Sequence, residues 1–262
     1  MPAPDDLALL IEAARDAGVI ATRHFGQAPR IWDKGAGQGP VTEADLEIDT
    51  MLRARLMAAR PDYGWLSEES TQDPTRLTNR RMFIIDPIDG TRAFIDGQPG
   101  FAHALAVVED GRPIAAVIYL PVLGQCYSAA AGAGATLNAR PIHVSTASPS
   151  QPAQVLAARP QLQPDHWPSG VPQVDRHFRP SLAWRMALVA EGKFDAMLTL
   201  RPTWHWDSAA GALIVTEAGG TVTTGQGTAL RFDTAEPVSE GVIAANPVLH
   251  SDLIARRIGP AR

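Results

Sequence analysis

Cysteine is nearly absent from this sequence, and so are the long apolar runs of membrane proteins. The single cysteine, Cys126, has no second cysteine with which to form an internal disulfide, which is typical of a reducing compartment. No apolar run reaches the roughly 18–20 residues needed to cross a bilayer. Asp5 and Asp6 precede the first leucines, where a secretory signal would be basic. The sequence therefore predicts a soluble, cytoplasmic protein that does not bind membranes.

The motifs of several large enzyme classes are also missing. There is no glycine-rich loop ending in Gly-Lys-Ser/Thr, which argues against an NTP-binding P-loop. The Gly-x-Ser-x-Gly turn of α/β-hydrolases does not occur. His-Glu-x-x-His and paired Cys-x-x-Cys spacings are absent as well, so zinc has no obvious binding site.

The charge balance and composition indicate an ordinary folded protein. The 262 residues carry a formal net charge of −5, so no binding to a nucleic-acid polymer is indicated. With 45% hydrophobic and 19% charged residues, the chain is not disordered. Its length allows one large domain or two packed lobes.

Hydrophobic periodicity predicts the helices and strands, and a change in composition divides the chain into two parts. It predicts a helix over residues 5–25, a second helix after Thr42 and an antiparallel series of strands over residues 101–146. Residues 147–180 are rich in Pro, Gln and Ser, and helices and strands alternate after them. We therefore predict an α/β (α+β) protein with an N-terminal lobe at 1–146 and a C-terminal lobe at 147–262.

The most informative stretch is residues 83–91, with the sequence FIIDPIDGT. Its apolar residues predict a short buried strand, and Pro87 and Gly90 predict a turn directly after it. Asp86 and Asp89 would then lie where a strand ends, which is a common position for reactive groups. Two carboxylates three residues apart around a turn can converge on one hard cation.

Further acidic residues stand in two other places. Glu68 and Glu69 are adjacent, and Asp207 follows Trp206 at the predicted start of a helix. In isolation, the glutamates would be solvated surface and Asp207 a helix N-cap. We interpret the acidic positions instead as one all-oxygen metal site. Its predicted members are Glu68, Asp86, Asp89, Asp207 and the main-chain carbonyl of Ile88.

Such a site favours phosphate chemistry. Hard oxygen ligands suit Mg²⁺, or Mn²⁺, rather than zinc or copper. Four carboxylates would repel one another without cations. Two or three divalent ions would attract a phosphate dianion and could activate water for an in-line displacement. Thr91 follows the turn, and its hydroxyl could hold the attacking water.

A covalent aspartyl-phosphate mechanism is disfavoured. Residues 88–91, IDGT, resemble part of the Asp-x-Asp-Gly-Thr motif of phosphatases with an aspartyl nucleophile. That chemistry needs an acid two residues before the aspartate, and Pro87 stands there. Asp45 admits two interpretations, because its position three residues after Thr42 is also that of a capping-box partner.

Two signatures resemble those of the inositol monophosphatase superfamily. They are DPIDGT at residues 86–91 and WDSAAG at residues 206–211. VTEAD at residues 41–45 and EES at residues 68–70 match the same pattern in the same order. The resemblance extends from about residue 5 to about residue 250, which is nearly the whole chain.

The resemblance implies a layered αβαβα fold and Mg²⁺-dependent, Li⁺-sensitive hydrolysis of phosphate monoesters. The implied ligands of the first ion are Glu68, Asp86, Asp89 and the Ile88 carbonyl. Those of the second ion are Asp86, Asp89 and Asp207, and Glu68 would hold a third ion through water. Relatives in this superfamily are often homodimers.

The resemblance also assigns roles around the ions. Asp45 and Thr91 would position the nucleophilic water, with Glu68 as the third catalytic residue. Gly90 and Thr91 would offer backbone N–H groups to the phosphate. Lys34 and the glycines after it would form a mobile loop near the metals.

The substrate side resembles a different branch from the inositol-specific one. Inositol-specific members have a Glu seven residues before the aspartate of Trp-Asp, where this chain has Leu200. RPT at residues 201–203 resembles the branch that removes the 3′-phosphate from adenosine 3′,5′-bisphosphate. Arg201 could contact a second phosphate and His205 could line the pocket. A surface arginine and a packed histidine are the alternatives.

The sequence thus favours a small phosphorylated substrate, with a 3′(2′),5′-bisphosphate nucleotide first and inositol monophosphate second. Fructose-1,6-bisphosphate and histidinol phosphate are weaker choices. A non-catalytic metal or phosphate-ligand sensor on the same fold is the alternative from another class. It is disfavoured because every carboxylate of the signatures and Thr91 are present.

Overall fold

The computed structural model describes residues 3–33, 35 and 39–259. Lys34 lies outside the described residues, so the mobile loop predicted there stays a prediction. Within the described ranges, no helix is both long enough and apolar enough to span a bilayer.

Two helices form the first layer. α1 spans Ala3–His24 and α2 spans Glu43–Ala59, and a hairpin of β1 (Ile31–Asp33) and β2 (Pro40–Thr42) lies between them in sequence. α2 begins with the predicted capping box, in which the Thr42 side chain accepts from the Asp45 N–H while the Asp45 carboxylate accepts from the Thr42 N–H.

The second layer is a sheet of seven strands whose spatial order follows the chain. The strands β3 to β9 are Gly64–Ser67, Arg81–Asp89, Ala102–Glu109, Arg112–Leu120, Gln125–Ala130, Ala135–Leu137 and Arg140–Ile142. β3 and β4 are parallel, and the other neighbours are antiparallel. A short helix, α3 (Thr91–Ile95), follows β4 directly.

The remaining elements build three further layers. A middle helical layer separates the first sheet from a second sheet of five strands, and a last helix covers that sheet. In spatial order, the five strands are Val174–His177, Ala153–Leu156, Ala196–Thr199, Val242–Ala245 and Thr221–Thr223. The helices are α4 (Leu182–Ala190), α5 (His205–Glu217) and α6 (Pro247–Ile258). The strands β10 to β16 are Ala153–Leu156, Val174–His177, Ala196–Thr199, Thr203–Trp204, Thr221–Thr223, Val238–Ser239 and Val242–Ala245. Short 3₁₀ helices are Pro74–Thr78, Arg159–Leu162 and Pro164–His166.

Alternation along the strands produces a separate core on each face of each sheet. Phe83 and Ile85 of β4 point to α1 and α2, whereas Met82 and Ile84 point to the middle helices. A third core lies between the second sheet and α6. The order helix, sheet, helix, sheet, helix confirms the predicted αβαβα arrangement.

The predicted lobe boundary at residues 146/147 falls between the two sheets. β9 ends at Ile142 and β10 begins at Ala153. One continuous core contains residues from both sides of this boundary, among them Ile118 and Ile214. The division into two lobes stays a prediction.

The structure corrects the expected limits of several elements. α5 starts at His205 with Trp204 as its N-cap, so Asp207 is its third residue and not the cap. Trp204 is not one of the usual N-cap residues, and its side chain makes no capping hydrogen bond. The start of α5 could therefore not be predicted from an N-cap pattern in the sequence. The strand before the acidic turn is also longer than expected, because β4 continues through Pro87 to Asp89.

Candidate metal centre

Three carboxylates from distant parts of the chain meet in one place. Ligand oxygens of Asp86, Asp89 and Asp207 all lie within 4.8 Å of one another. The first two stand at the end of β4, in the first sheet, and the third in the first turn of α5, in the middle layer. The spacing is short enough for one cation to contact all three groups.

An irregularity in β4 is what places Asp86 and Asp89 together. Residues three apart in a regular strand face opposite sides of the sheet. Here the register with β5 shifts between Asp86 and Asp89, which turns the second carboxylate toward the first. Pro87 cannot donate to the ladder, and its carbonyl accepts a 2.5 Å hydrogen bond from Nδ1 of His103. No pattern in the sequence around His103 predicts this contact.

Glu68 reaches the same site because β3 and β4 are parallel. Ser67 is opposite Ile85, and the Glu68 N–H donates to the Ile85 carbonyl at 3.2 Å. Glu68, the first residue after β3, therefore lies beside Asp86, and both residues line one cleft. The Ile88 carbonyl accepts from the Thr91 hydroxyl at 3.0 Å.

The electrostatics of the site favour a bound cation. Burial, followed by repulsion from Glu68 and Asp89, raises the pKa of Asp86 well above its usual value. Burial and the charges of Asp89 and Glu68 likewise raise the pKa of Asp207. The charge of Arg201 lowers the pKa of Asp207 and so partly offsets this increase. Oδ1 of Asp86 is buried and has no hydrogen-bond partner within the described structure. An orphaned carboxylate oxygen among like charges is stabilised by a metal ion.

Asp89 differs because the start of α4 stabilises its charge. Oδ2 accepts from Ser181 Oγ and from the Ala183 N–H, each at 2.6 Å. Burial raises the pKa of Asp89, while these two donors and the charge of Arg185 lower it. Ser181 also caps α4 by accepting from the Trp184 N–H at 2.9 Å. The site is thus tied to the middle layer through α4 as well as α5.

Asp45 and Thr91 are linked next to the trio. Thr91 Oγ1 lies 3.3 Å from Asp45 Oδ1, and Oδ2 of the same carboxylate accepts from the Thr42 N–H at 2.8 Å. Asp45 therefore takes part in the capping box and also contacts Thr91, so the two interpretations from sequence are compatible.

A cleft of about 920 Å³ opens above the carboxylates. Gly90, Thr91 and Arg201 line it, as expected for substrate-binding residues. His205 is not among the lining residues, because it is 1% exposed and packs edge-on against Phe232 at 5.1 Å. Burial lowers the pKa of His205 to about 4. The structure thus corrects the expectation that His205 lines the pocket, and it matches the packed-histidine alternative.

Arg185 and Phe178 also line the cleft, and neither was identified from the sequence. Arg185 is 7% exposed, and its guanidinium donates to the carbonyls of Arg179 at 2.5 Å and Pro180 at 3.0 Å. It lies 4.4 Å from the centre of the Phe178 ring, which is 49% exposed. An arginine inside an apolar helical pattern is an unusual feature of the sequence. The sequence does not, however, predict which way the Arg185 side chain points.

Fold and site together define a layered α/β enzyme in which carboxylates from two layers form a metal-type centre suited to water-mediated displacement. The chain belongs to the inositol monophosphatase family, whose family model matches residues 5–259. Members of this family are phosphomonoesterases, and so is this protein.

Relatives with different substrate names match the chain almost equally well. A histidinol-phosphatase from Chlorobaculum parvum is 33% identical over 95% of both chains. An inositol-1-monophosphatase from Rhizobium meliloti is 32% identical over 84% of this chain and 86% of its own. The 3′(2′),5′-bisphosphate nucleotidase CysQ of Salmonella typhimurium is 31% identical over 84% of this chain and 91% of its own.

Solved structures agree on the fold. The IMPase of Thermotoga maritima superimposes with a TM-score of 0.83 at 30% identity and covers 95% of each chain.

Proposed function

We propose that this phosphomonoesterase is Mg²⁺-dependent and that its preferred substrate is a 3′(2′),5′-bisphosphate nucleotide, with adenosine 3′,5′-bisphosphate converted to AMP and phosphate. One observation carries the proposal: a single cleft contains an acidic trio and three arginines, two of which, Arg185 and Arg201, act electrostatically on members of the trio. The trio suits cations that hold the reacting phosphate, and the arginines suit a second phosphate.

The donor set fits Mg²⁺, with Mn²⁺ as the alternative. All candidate ligands are oxygens: those of Glu68, Asp86, Asp89, Asp207 and the Ile88 carbonyl. These residues would hold two or three ions, which would activate water and neutralise charge on the leaving oxygen. Asp45 and Ile88 hold the Thr91 hydroxyl, which would orient the water together with Glu68. Backbone N–H groups of Gly90 and Thr91 would bind the phosphate.

The two arginines differ in how they would bind a second phosphate. Arg185 is fixed by two carbonyls and acts on Asp89 and Asp207 through its charge, but it forms no ion pair among the residues described, so it could still bind an anion. Arg201 is exposed on the cleft wall, and its charge acts on both Asp207 and Arg185. The half-exposed ring of Phe178 offers a flat surface next to Arg185, suited to stacking of a nucleobase.

Inositol monophosphate is the alternative substrate, and the names of two relatives support it. Leu200 argues against inositol, because the position carries no group that could bind sugar hydroxyls. A histidinol phosphate substrate is supported only by the names of relatives. A cytoplasmic location and a homodimer stay predictions. The non-enzymatic sensor hypothesis is set aside, because the chain belongs to a family of phosphomonoesterases.

A phosphate-release panel tests the substrate. We expect the highest kcat/KM for adenosine 3′,5′-bisphosphate, compared with adenosine 3′-phosphate, inositol 1-phosphate, fructose-1,6-bisphosphate and histidinol phosphate. Arg201→Met should lower kcat/KM for the bisphosphate about tenfold, which corresponds to about 1.4 kcal/mol, and leave kcat/KM for adenosine 3′-phosphate unchanged. Faster turnover of inositol 1-phosphate than of the bisphosphate would contradict the proposal.

A further inference from the structure

A buried acidic residue of α2, Asp49, lies one turn after Asp45 and has no role in the site described above. Asp49 is 8% exposed. Its Oδ1 accepts from Ser67 Oγ at 2.5 Å and its Oδ2 accepts from Ser70 Oγ at 2.8 Å. Each carboxylate oxygen therefore binds a different serine.

These two serines flank Glu68. Ser67 is the last residue of β3, and Ser70 follows Glu68 by two positions. Because both hydroxyls donate to Asp49, their oxygens accept from other groups: Ser67 from the Glu69 N–H at 3.4 Å and Ser70 from Trp65 Nε1 at 3.0 Å. The chain is thus held on both sides of Glu68.

One face of α2 consequently contacts both strand ends that carry the acidic centre. Asp45 and Asp49 are four residues apart and lie on the same side of the helix. Asp45 contacts Thr91 beyond the end of β4, and Asp49 contacts the two serines at the end of β3. A helix is more rigid than a loop, so it sets the distance between these ends.

Stability alone does not account for Asp49. No arginine, lysine or histidine pairs with it among the described residues, and burying a carboxylate without a cation is unfavourable. Its hydroxyl contacts satisfy both oxygens, yet an apolar residue with two alanines would be a less expensive packing solution. What the carboxylate adds is a fixed conformation for residues 67–70.

We propose that Asp49 is a positioning residue for Glu68, acting through Ser67 and Ser70. The proposal rests on the role of Glu68 at the metal centre given under the proposed function. Outer residues that orient metal ligands typically contribute about 10- to 100-fold to metal affinity or activity. Asp49 should therefore affect metal binding more than substrate binding.

The proposal can be tested without turnover by measuring Mn²⁺ binding to the metal-free protein. Binding is monitored through the electron paramagnetic resonance signal of free Mn²⁺. We expect Asp49→Ala to weaken Mn²⁺ binding about tenfold, to lower kcat, and to leave substrate KM at saturating Mg²⁺ within twofold. Ser67→Ala combined with Ser70→Ala should have the same effect, and the triple variant should be no worse than Asp49→Ala. The control is Glu47→Gln, on the same helix but paired with Arg23 at the surface.

All measurements are made below the melting temperature of each variant, as verified by circular dichroism. Unchanged Mn²⁺ affinity and kcat in both Asp49→Ala and the double serine variant would overturn the proposal. Glu68→Gln separates this failure from failure of the proposed function. If Glu68→Gln weakens binding and Asp49→Ala does not, only Asp49 has been misassigned. If Glu68→Gln also has no effect, the role of Glu68 is wrong and the positioning role is overturned with it.

Discussion

At the scale of single residues, Asp89 illustrates how one carboxylate serves two purposes. Its Oδ2 is occupied by the Ser181 hydroxyl and the Ala183 N–H. Oδ1 accepts from neither of these donors and is therefore the oxygen available to a cation. A substitution that keeps the shape and removes the charge should separate these purposes.

We expect Asp89→Asn to abolish phosphate release while the fold is retained. Asparagine can still accept from α4, but it no longer supplies an anionic oxygen to a cation. Phosphate release and far-ultraviolet circular dichroism measure the two effects. Asp96→Asn, an exposed aspartate seven residues on, is the control. Retained turnover in Asp89→Asn would place the reaction at a different site.

Asp45 allows a second test, because it contacts both Thr42 at the start of α2 and Thr91. A role in the capping box alone predicts a loss of about 1 kcal/mol in unfolding free energy and unchanged turnover. Because Asp45 also holds Thr91, we expect Asp45→Asn to lower kcat by about 10²-fold, the lower end for a group that assists proton transfer. Initial rates and urea denaturation distinguish the outcomes, and a change in stability alone would rule out the catalytic role.

At the scale of secondary-structure elements, the middle layer positions the site. α4 presents its N-terminus to Asp89, and α5 carries Asp207 in its first turn. The two helices pack closely because position 211 is a glycine. A Cβ at Gly211 would lie 2.5 Å from the sulfur of Met186 and 2.7 Å from its Cβ.

Gly211→Ala should therefore destabilise the protein although alanine favours helix. A clash with a Cβ atom cannot be relieved by rotating a side chain, so the helices must separate, at about 1–3 kcal/mol for overpacking. Thermal and urea denaturation measure the change. Thr216→Ala, exposed on the same helix, should change stability by less than about 0.5 kcal/mol. Equal stability of Gly211→Ala and wild type would show that this close approach is not required.

The cap of α4 gives a prediction with an internal control. Ser181→Ala should cost about 1 kcal/mol for the lost cap and also lower kcat, since Asp89 loses a donor. Asn246 caps α6 by accepting from the Val248 and Leu249 N–H groups, far from the cleft in sequence. Asn246→Ala should thus reduce stability similarly without a change in kcat. Equal kcat in the two variants would show that the Ser181–Asp89 contact is only structural.

At the scale of the whole molecule, the sequence predicts the layers and the acidic positions better than the contacts between them. DPIDGT and WDSAAG point to the trio because each carboxylate is marked by its own local turn or helix start. Arg185 and Asp49 carry no such mark, and although Ser181 stands at a helix start, that position does not predict its contact with Asp89. Their roles depend on which side chains the packing brings together, and Ser181 meets Asp89 across 92 positions of sequence. His205 shows the converse, since its neighbours in sequence suggested a pocket while packing buried it.

The electrostatics of the site predict how pH and metal act together on stability. Folding raises the pKa of Asp86 and Asp207, so without metal these groups contribute stability that is complete below their unfolded pKa and is lost as pH rises through the folded pKa. A cation removes this loss because it replaces the proton. We expect the increase in melting temperature on adding Mg²⁺ to grow from pH 5 to pH 8. Differential scanning fluorimetry with and without chelator measures it, and an increase independent of pH would contradict the assignment.

The origin of the trio in two separate layers has a consequence for how the protein matures. Asp86 and Asp89 belong to a sheet that α1 and α2 cover, while Asp207 arrives only when α5 docks against that sheet's opposite face. A folding intermediate in which only the first sheet and its covering helices have formed provides a cation with Asp86 and Asp89 but not with Asp207. Ions that bind the complete trio more tightly than these two carboxylates draw the population toward the docked state. During refolding, metal in the buffer should therefore stabilise the product of the final step, the docking of α5, without affecting the earlier steps.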